Sequence, residues 1–591
     1  MGLTSRAGLT SAAVFVGVAL IAAPVQAATY TVTRFDDPAP PQACDADCSL
    51  REAVLAANAT PGTDGIRLPG GTYTLSIPGQ GGPQGDLDIT RWLSIATTGP
   101  GRAIIDANGA VTGDRAVEIH SGATFLFGVK VVDGVAPADG DGIHRGGGIR
   151  IDPSGRLAML GGEVSRNSTP GAGQGGGIYN AGVAELLTGS AAAAAGSTGI
   201  VDFGGVALDG NAVGGAGGMG GGIYTTEAAH TVVDGSRLSS NDATLGGALY
   251  DLGAPNLGGS QIFRSLLSNN SADVGGAIFE GTGGSLTLHN TTIEGNDADA
   301  VGGALRSLGG TVLLKNSTLT SNVGGTEAGG IATRDGAGGE PASVTLHNTI
   351  AAENTDLDDG AHPDCFDRTG GRFHTDGYNI LGVKDGCGLQ PAAGDQIGTS
   401  GSPVDPGLAP ESGFAGGFQP TWPIEPASVA VDAGDPSPGA CEPEDARGVP
   451  RGLGGRCDIG AYELTRCQGV LVNRVGTKLD ESSATLRPPV MTPTNDPDGF
   501  LGLGGSDNLE GDDGNDGLCG GKGNDVLRGG QGGDALAGTA HDDVLKGGRG
   551  RDRLLGGEGG DRLAGGPGPD VCKGGPGHDV ATGCEVKRGI P

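Results

Sequence analysis

The sequence predicts an all-β protein of stacked repeats: a right-handed parallel β-helix with a small N-terminal cap, then a shorter-period repeat at the carboxyl end. Three observations predict this architecture. A Gly-Gly motif recurs mostly every 26–30 residues through the middle of the chain. Aspartate recurs every nine residues from Asp507 to Asp579. Glycine supplies 121 of 591 residues and aromatic residues only 4%, which suits stacked turns better than one globular core.

Residues 1–27 have the pattern of a secretory signal peptide. Arg6 precedes an apolar run over residues 12–23, and Val25-Gln26-Ala27 forms a small-residue cleavage site. The run is too short for a retained membrane span. We therefore expect a secreted protein, released or associated with the cell surface. A buried N-terminal helix is the alternative.

Residues 28–84 predict a strand, a short helix and a second strand. Thr and Val alternate near residue 30, Leu50, Val54 and Leu55 follow helical spacing, and apolar residues alternate around a Pro-Gly-Gly turn. The sequence CSLREAVLAAN at 48–58 is very similar to the CSLREA domain of secreted bacterial proteins, which usually precedes a β-helix. The resemblance implies a cap over the open edge of the first coil.

The repeat of residues 85–359 combines two motifs. One is Gly-Gly before an apolar residue, as in GGGIY at 220–224 and GGAIF at 275–279. The other is apolar-x-x-Asn, which ends at Asn167, Asn211, Asn241, Asn270, Asn296 and Asn322. One repeat fits one coil of three short strands, stacked about 4.8 Å above the last. The insert at 181–199 is predicted to be a surface loop or a short helix.

A third register places Leu-x-Asn at Asn290, Asn316 and Asn348. It predicts an inward asparagine ladder, since stacked amides satisfy one another. The neighbouring His289 and His347 are interpreted as exposed coil positions rather than as ligands or acids. The two motifs of the repeat resemble the passenger of polymorphic outer-membrane proteins, which are β-helical adhesins. The resemblance supports the fold and leaves adhesion as a hypothesis.

Residues 360–466 form a different block, with GYNI at 377–380, DARG at 445–448 and CDIGAYE at 457–463. These motifs are similar to the choice-of-anchor Q domain, found at the end of secreted bacterial β-helices. Residues 467–499 are polar and proline-rich, and are predicted to be a linker.

The nine-residue repeat joins an acidic and an apolar register, because Leu mostly follows each Asp by two positions. In six frames Gly-Gly stands five and four residues before Asp, and Gly two before. This pattern indicates turns with positive φ and uncovered carbonyl oxygens. Carboxylates and carbonyls are the oxygen ligands that Ca²⁺ prefers. The candidate ligands are Asp516, Asp525, Asp534, Asp543, Asp552, Asp561, Asp570 and Asp579, with Gly521, Gly523, Gly530, Gly532, Gly548, Gly550, Gly557, Gly559, Gly566 and Gly568.

This array resembles the RTX, or haemolysin-type, calcium-binding nonapeptide repeat. The resemblance implies a parallel β-roll over residues 500–585, with two nonapeptides per turn and Ca²⁺ between successive turns. One edge would carry Asp507, Asp525, Asp543, Asp561 and Asp579, and the other Asp516, Asp534, Asp552 and Asp570. Leu503, Asp512, Thr539 and His541 replace turn glycines, which weakens the case for calcium in their frames. A disordered Gly/Asp-rich tail would explain the composition but not the register.

Ten cysteines behind a signal peptide predict disulfides. Their local spacing suggests the pairs Cys44–Cys48, Cys365–Cys387, Cys441–Cys457 and Cys572–Cys584, which leaves Cys467 and Cys519 for each other. Zinc is the competing interpretation, but no two-plus-two Cys/His cluster occurs.

Catalysis has to be considered, because many polysaccharide lyases and hydrolases are β-helices. Asn354-Thr355-Asp356 resembles a polygalacturonase strand, but no Gly-His-Gly or Arg-Ile-Lys follows. Lyase chemistry would need a base near a calcium-bound uronate, and the candidates by location alone are Arg264, Arg306 and Lys315.

A formal net charge of −32 disfavours nucleic acid and anionic membranes as partners. The sequence therefore predicts a secreted, non-enzymatic calcium-binding protein, adhesin-like or matrix-binding, with a glycan or cell-surface ligand. The alternative is a polysaccharide lyase or hydrolase on the β-helix face, with the roll as stabiliser. Without calcium the clustered carboxylates repel one another, so calcium should drive folding of the roll.

Overall fold

The structure is a computed structural model, and it describes residues 27–39, 43–79, 84–187, 189–192, 200–203, 205–253, 259–358, 360–369, 373–409, 419–452, 456–476 and 497–590. Residues 1–26 of the predicted signal peptide and residues 477–496 of the predicted linker lie outside the described residues. The helices in the described part are α1, Leu50–Ala59, and α2, Gly109–Thr112. Neither is long and apolar enough to cross a membrane.

The N-terminal two thirds of the described chain consist almost entirely of short strands. They are β1 Thr29–Thr31, β2 Asp64–Thr74, β3 Leu87–Ile89, β4 Leu93–Asp106, β5 Val117–Phe127, β6 Val129–Val132, β7 Ile149–Leu160, β8 Glu163–Ser165, β9 Ser168–Thr169, β10 Ile178–Asn180, β11 Val183–Leu187, β12 Gly189–Ala192, β13 Ile200–Phe203, β14 Ala207–Asp209, β15 Ala212–Val213, β16 Ile223–Thr225, β17 His230–Asp234, β18 Arg237–Ser239, β19 Asp242–Leu245, β20 Leu249–Asp251, β21 Ser260–Phe263, β22 Leu266–Ser268, β23 Ser271–Val274, β24 Ile278–Glu280, β25 Ser285–His289, β26 Thr292–Glu294, β27 Asp297–Val301, β28 Leu305–Leu308, β29 Thr311–Lys315, β30 Thr318–Thr320, β31 Val323–Gly324, β32 Ile331–Arg334, β33 Ser343–His347, β34 Ile350–Ala351, β35 Thr355–Asp356, β36 Cys365–Asp367, β37 Phe373–Gly377, β38 Ile380–Leu381 and β39 Gln396–Ile397.

The predicted parallel β-helix is confirmed. Thirty of these strands form one sheet in which each strand pairs in parallel with its counterparts one coil above and below. The Gly-Gly motif leads into the column β10, β16, β20, β24 and β28, where Ile178 pairs with Ile223 and Ile223 with Leu249. Every second side chain faces the core, so these apolar residues stack and are fully buried.

The coils from residue 168 to residue 356 have four strands rather than the predicted three. The fourth is short and forms a separate seven-stranded sheet, from β9 to β35. It follows the apolar-x-x-Asn motif, whose asparagine turns the chain between the third and fourth strands.

The inward asparagine ladder exists, but the prediction assigned it to the wrong register. It runs through the apolar-x-x-Asn motif, where Asn211 Nδ2 donates to Asn241 Oδ1 (2.9 Å) and Asn241 Nδ2 to Asn270 Oδ1 (2.9 Å). Asn290, Asn316 and Asn348 instead have φ of 48–49°, the left-handed conformation that Asn tolerates at tight bends.

Those three asparagines hold the block that follows the β-helix, near residue 440, against the outer surface of the β-helix. Asn290 Nδ2 donates to the Glu444 carbonyl (2.8 Å), and Asn348 Oδ1 accepts the Asp435 N–H (2.9 Å). The expectation that His289 and His347 are exposed was wrong for the same reason. His289 contacts Glu442 (2.9 Å) and His347 contacts Asp435 (3.2 Å), because the chain after residue 397 returns along the stack.

The predicted N-terminal strand, helix and strand are present, and they form the first coil rather than a detached unit. Helix α1 begins with a capping box between Ser49 and Glu52. Its buried Leu50 and Val54 join the core of the β-helix. The stack also extends past the predicted boundary at residue 359, because β36 to β39 continue the columns.

The predicted loop or helix at 181–199 is partly β structure. Residues 183–187 are β11, which pairs with β7 and β17, and β12 pairs antiparallel with β13. The alternating apolar residues Ala184 and Leu186 continue the buried column, which explains the strand. Residues 193–199 lie outside the described part.

The carboxyl-terminal strands are a short antiparallel pair, β40 and β41, followed by a β-roll from β42 onward, as the repeat predicted. They are β40 Arg466–Cys467, β41 Val470–Leu471, β42 Arg474–Val475, β43 Gly499–Gly504, β44 Asn508–Asp513, β45 Gly517–Lys522, β46 Val526–Gln531, β47 Ala535–Ala540, β48 Val544–Arg549, β49 Arg553–Glu558, β50 Arg562–Ala564, β51 Val571–Lys573, β52 Val580–Thr582 and β53 Val586–Arg588. From β43 onward, strands alternate between a seven-stranded and a five-stranded parallel sheet. Between the sheets lie the leucines that follow each Asp, such as Leu527, Leu536 and Leu545.

Five disulfides confirm the predicted cysteine pairs, and no described cysteine is free. Cys467–Cys519 ties β40 to β45, so the start of the predicted linker is structured. Val472 and Val475 of this segment are buried with Val449 and pack against Leu501 and Leu503 of the roll.

Candidate metal centre

The turns of the β-roll have the backbone conformation that the glycines predicted. In the frame of Asp561, Gly557 and Gly559 have φ of 123° and 137°, where a side chain is strained. A Cβ on either glycine would also overlap a carbonyl oxygen of the preceding coil, Thr539 O or His541 O. Glycine is therefore needed both for the turn and for close stacking of carbonyls along the roll.

The frames without these glycines adopt the same turn under strain. Leu503 has φ of 74°, Asp512 of 65°, Thr539 of 90° and His541 of 81°. A positive φ costs a non-glycine residue about 1–2 kcal/mol. The turn geometry is thus imposed by the neighbouring coils and persists in all frames.

The repeat aspartates form two ladders, one on each edge of the roll, and each ladder joins residues eighteen positions apart. In each step a backbone N–H donates to the Oδ1 of the aspartate one coil further on, at 2.8–3.0 Å. One ladder contains Asp507, Asp525, Asp543, Asp561 and Asp579, and the other Asp516, Asp534, Asp552 and Asp570.

The structure adds two members that the sequence reasoning missed. Asp498 begins the second ladder by donating its N–H to Asp516 Oδ1 (2.8 Å), and Glu585 ends it by accepting the Asp570 N–H (2.6 Å). A signal existed for Asp498, which stands nine residues before Asp507. Glu585 breaks the period, and only the fold brings its longer side chain to the ladder.

The second carboxylate oxygen, Oδ2, of most ladder aspartates is buried and has the same surroundings from coil to coil. Oδ2 has no hydrogen-bond partner among the described residues in Asp516, Asp534, Asp543, Asp552, Asp561, Asp570 and Asp579. These residues are 0–3% exposed. A buried carboxylate oxygen without a donor is costly unless a cation neutralises it.

Each such oxygen lies close against a glycine of its own frame, where a side chain would overlap the carboxylate, and we call this position the cradle. A Cβ on Gly547 would lie 2.7 Å from the Gly565 carbonyl oxygen of the next coil, and closer still to Asp552 Oδ2. The same arrangement recurs at Gly529, where the Cβ would meet Asp534 Oδ2 and, one coil on, the Gly547 carbonyl. Each cradle is thus lined by a carboxylate and a carbonyl oxygen from successive coils, which is the donor set of a hard cation.

Electrostatics also favour a bound cation. Burial, with a smaller contribution from neighbouring aspartates, raises the pKa of Asp516 to about 6 and the pKa values of Asp534 and Asp543 to about 7. Burial likewise raises the pKa values of Asp552 and Asp561. None of these five carboxylates forms an ion pair with a basic side chain in the described part of the chain. The residues present fit Ca²⁺, and their role as ligands remains a prediction.

A second acidic group, on the β-helix, does not fit a metal ion. Ligand atoms of Asp88, Glu118 and His120 lie within 4.8 Å of one another. However, His120 lies between Asp88 (2.8 Å) and Asp152 (2.9 Å), and these bonds raise its pKa to about 10. Arg115 also contacts Glu118 at 2.5 Å. Protein cations therefore already neutralise this group.

The polygalacturonase-like tripeptide belongs to the scaffold. Asn354 is the last amide of the inward ladder, and its Nδ2 donates to Asp364 Oδ1 (2.9 Å). Asp356 is 6% exposed, and its Oδ1 accepts the Asp358 N–H (3.1 Å).

Two of the three basic residues considered for lyase chemistry also lie in structural contacts, and the third is buried. Arg264 Nε donates to Asp234 Oδ1 (2.9 Å), and Lys315 Nζ lies 2.9 Å from Glu442. Arg306 is 6% exposed, and burial lowers its pKa to about 10.

The fold and the ladders define a class: a parallel β-helix followed by a β-roll with paired rows of buried carboxylates. Comparison with protein families is consistent with this class. The RTX calcium-binding nonapeptide repeat, in four copies, matches residues 501–536, 537–572 and 555–583. The carboxyl-terminal part therefore carries calcium-binding repeats of the RTX type. Comparison with curated proteins gave no match.

Two solved structures are similar over most of the chain. One is a mutant of the PL6 family alginate lyase AlyGC, at 10% identity and a TM-score of 0.30, covering 90% of this chain and 80% of that chain. The other is the PL6 family alginate lyase AlyGC, at 9% identity and a TM-score of 0.27, covering 91% and 78%. Sequence identities and TM-scores this low give no information about the substrate or the activity of this protein.

Proposed function

We propose that this protein is an extracellular β-helical scaffold whose C-terminal roll folds when it binds Ca²⁺. One observation carries the proposal: the two ladders hold buried carboxylates whose Oδ2 lies at a cradle next to a carbonyl oxygen and has no hydrogen-bond partner among the described residues, namely those of Asp516, Asp534, Asp543, Asp552, Asp561, Asp570 and Asp579. The proposed ligands are the aspartates and turn glycines predicted from the sequence.

Calcium binding and folding are the same event in this proposal. Stacking the coils without metal buries a row of carboxylates, and an uncompensated buried charge costs several kcal/mol. A cation between coils neutralises and bridges them, so its binding free energy becomes folding free energy. With calcium at 100 times the dissociation constant, each site contributes about 2.7 kcal/mol. Several sites together are enough to decide between a coil and a roll.

The β-helix is proposed to act as a non-enzymatic surface that binds a glycan or a cell-surface ligand. The catalytic candidates support this assignment, since Arg264, Lys315 and Asn354 are held in contacts that maintain the stack. Five disulfides also suit an oxidising, extracellular compartment.

Hydrogen exchange on the full mature chain tests the calcium mechanism. We expect backbone amides of residues 497–590 to be protected in millimolar calcium and to exchange freely in chelator, while the β-helix stays protected in both. Magnesium is the control, because it requires a tighter octahedral shell and keeps its water. Equal protection of the roll in calcium and in chelator would refute calcium-coupled folding.

Binding without turnover tests the proposed role of the β-helix. A glycan array should retain the protein, and acidic polysaccharides incubated with it should release neither unsaturated nor reducing sugars. Release of either product would assign the β-helix to the carbohydrate-active enzymes instead.

A further inference from the structure

Arg306 is an arginine on the outer face of the β-helix that lacks the partners a guanidinium needs. Its neighbour Leu305 belongs to the core, so Arg306 points to the outside of the coil. It is only 6% exposed, and its Nη1 is buried without a hydrogen-bond partner. Nor does it form an ion pair with a described residue. Since unpaired buried N–H donors are costly, Arg306 offers donors that the described chain does not use.

Glu327, on the next coil, has an unused acceptor beside these donors. Its Oε1 pairs with Arg368, whereas its Oε2 is buried without a hydrogen-bond partner among the described residues. Glu327 bridges to Val301, which stands five residues before Arg306 on the coil below. Burial lowers the pKa of Arg306 to about 10, and the Glu327 carboxylate opposes this shift. The two side chains are therefore neighbours, although no ion pair joins them.

Two further arginines lie on the same face. Arg334 is exposed, pairs through its backbone with Leu308 on the coil of Arg306, and forms no ion pair with a described residue. On the following coil the Arg368 N–H donates to the Thr333 carbonyl (3.2 Å), and its side chain is 55% exposed. Both cations add to the lowering of the Arg306 pKa that burial causes. Three successive coils thus place three guanidinium groups close together.

The unused groups define the chemistry of a ligand. Guanidinium N–H groups bind the oxygens of an anion such as a carboxylate. Glu327 Oε2 can only accept, so the same ligand needs a hydroxyl or another donor. An acidic sugar carries an anionic group and hydroxyls on one ring. A neutral sugar would leave the arginines without an anion, and a simple anion would leave Glu327 Oε2 without a donor.

The charge of the whole chain does not exclude such a ligand. The formal net charge is −32, which opposes any anion at long range. However, exposed charges more than about 8 Å apart are largely screened at physiological salt. The arginines around the ligand therefore decide its binding, whereas the distant carboxylates, including those of the roll, contribute little.

We propose an acidic-sugar subsite on the outer face of the β-helix, formed by Arg306, Glu327, Arg334 and Arg368. It rests on the glycan binding proposed above and names the class of glycan. Arg306 and Arg334 bind the anionic group, and Glu327 accepts a hydroxyl of the same sugar. The anionic group is the carboxylate of a uronic acid or a sulfate ester, and the experiment separates the two.

Binding of matched oligosaccharides to the full mature chain tests the subsite. The uronate probe is an oligogalacturonate, with its methyl-esterified form as the neutral control. The sulfate probe is a dextran sulfate oligomer, with plain dextran as the control. Calorimetry is done in chelator, so that calcium cannot bridge the roll to the probe. Wild type should bind one acidic probe about tenfold or more tighter than its neutral form, the effect of one charge-assisted hydrogen bond.

Two variants and a control locate the site. Arg334→Ala removes an exposed side chain without an ion pair in the described chain, so it should fold as wild type and lose about tenfold in affinity. Arg306→Ala should lose at least as much. Arg156→Ala removes an exposed arginine of β7 and should bind as wild type. If Arg306→Ala fails to fold by circular dichroism, Arg334→Ala decides alone.

Each outcome has one meaning. Loss of the uronate probe or of the sulfate probe in Arg334→Ala supports the subsite and identifies its anion. Equal binding of acidic and neutral probes, or unchanged affinity in folded arginine variants, would overturn the subsite and leave the proposed glycan binding intact. Wild type that binds neither acidic probe would also overturn it, and the glycan array then decides the proposed function separately.

Discussion

The cradle beside each ladder aspartate can be filled by one methyl group, and the frame of Asp561 offers a matched pair of glycines for this test. A Cβ on Gly556 would lie 2.8 Å from Asp561 Cγ and closer to Oδ2, whereas 3.4–4 Å is ordinary contact. A Cβ on Gly560 would meet nothing closer than 3.4 Å. Neither glycine has a positive φ, so Gly556→Ala and Gly560→Ala differ only in the space they occupy.

The expected magnitude follows from what Asp561 loses. To clear the methyl group of Gly556→Ala its carboxylate must move, which breaks the bond from the Asp543 N–H to Asp561 Oδ1 (3.0 Å). A hydrogen bond to a charged group is worth about 1.5–3 kcal/mol. A calcium site at 100 times its dissociation constant contributes about 2.7 kcal/mol. We therefore expect a loss of about 4–6 kcal/mol in calcium, whereas Gly560→Ala should be neutral or gain up to about 1 kcal/mol.

Hydrogen exchange of the full chain measures both variants in the same peptides, those covering residues 539–570. Gly556→Ala should raise the opening constant by about three to four orders of magnitude in calcium, at about 1.4 kcal/mol per tenfold. In chelator the two variants should not differ, because the roll is then unfolded in both. A similar effect of the two substitutions in calcium, or a Gly556→Ala effect that persists in chelator, would refute the cradle as the calcium position.

Four further predictions concern the roll. Asp561→Ala should weaken calcium binding more than Asp507→Ala, because the Asp561 frame has all its turn glycines; equal effects in titration calorimetry would contradict the register. In chelator the roll, which is unfolded at neutral pH, should regain a thermal transition near pH 4 and lose it as pH rises to about 7, since the folded pKa of Asp534 is about 7 against 3.8 for a free carboxyl and the folded state keeps its proton in between; a melting temperature of the chelator-treated roll that rises with pH would contradict this sign. His541→Gly should stabilise the calcium form by about 1 kcal/mol in a thermal melt, because φ of 81° strains histidine. His578→Gly is the control, since His578 does not have a positive φ, and it should give no gain in a thermal melt with calcium. Leu545→Ala should cost about 2–5 kcal/mol, since Leu545 is 0% exposed between the two sheets; a cost below about 1 kcal/mol in a calcium-saturated denaturant melt would show a loosely packed roll core.

Local sequence patterns were sufficient to predict the structure wherever the fold repeats. A nine-residue period fixes which residues stack, so the alternation of acidic and apolar registers indicated both the aspartate ladders and the leucine core. The Gly-Gly motif indicated the β-helix for the same reason, since each coil meets only its neighbours. Cysteine spacing indicated the disulfides because most of the pairs close short loops within one block.

The features that the sequence did not predict depend on contacts between segments that are distant in the chain. Asn290 and Asn348 have the spacing of an inward ladder, yet they bind the block near residue 440, because that block returns along the stack. Glu585 completes an aspartate ladder through a longer side chain outside the period. Arg306 and Glu327 stand 21 positions apart in the sequence and become neighbours only when two coils stack. The sequence by itself thus determined the repeat and the rows of acidic side chains that it carries, because both follow from local periodicity. The tertiary structure alone decided which carboxylates are buried without a partner, because burial depends on what the coils and the returning chain place beside them.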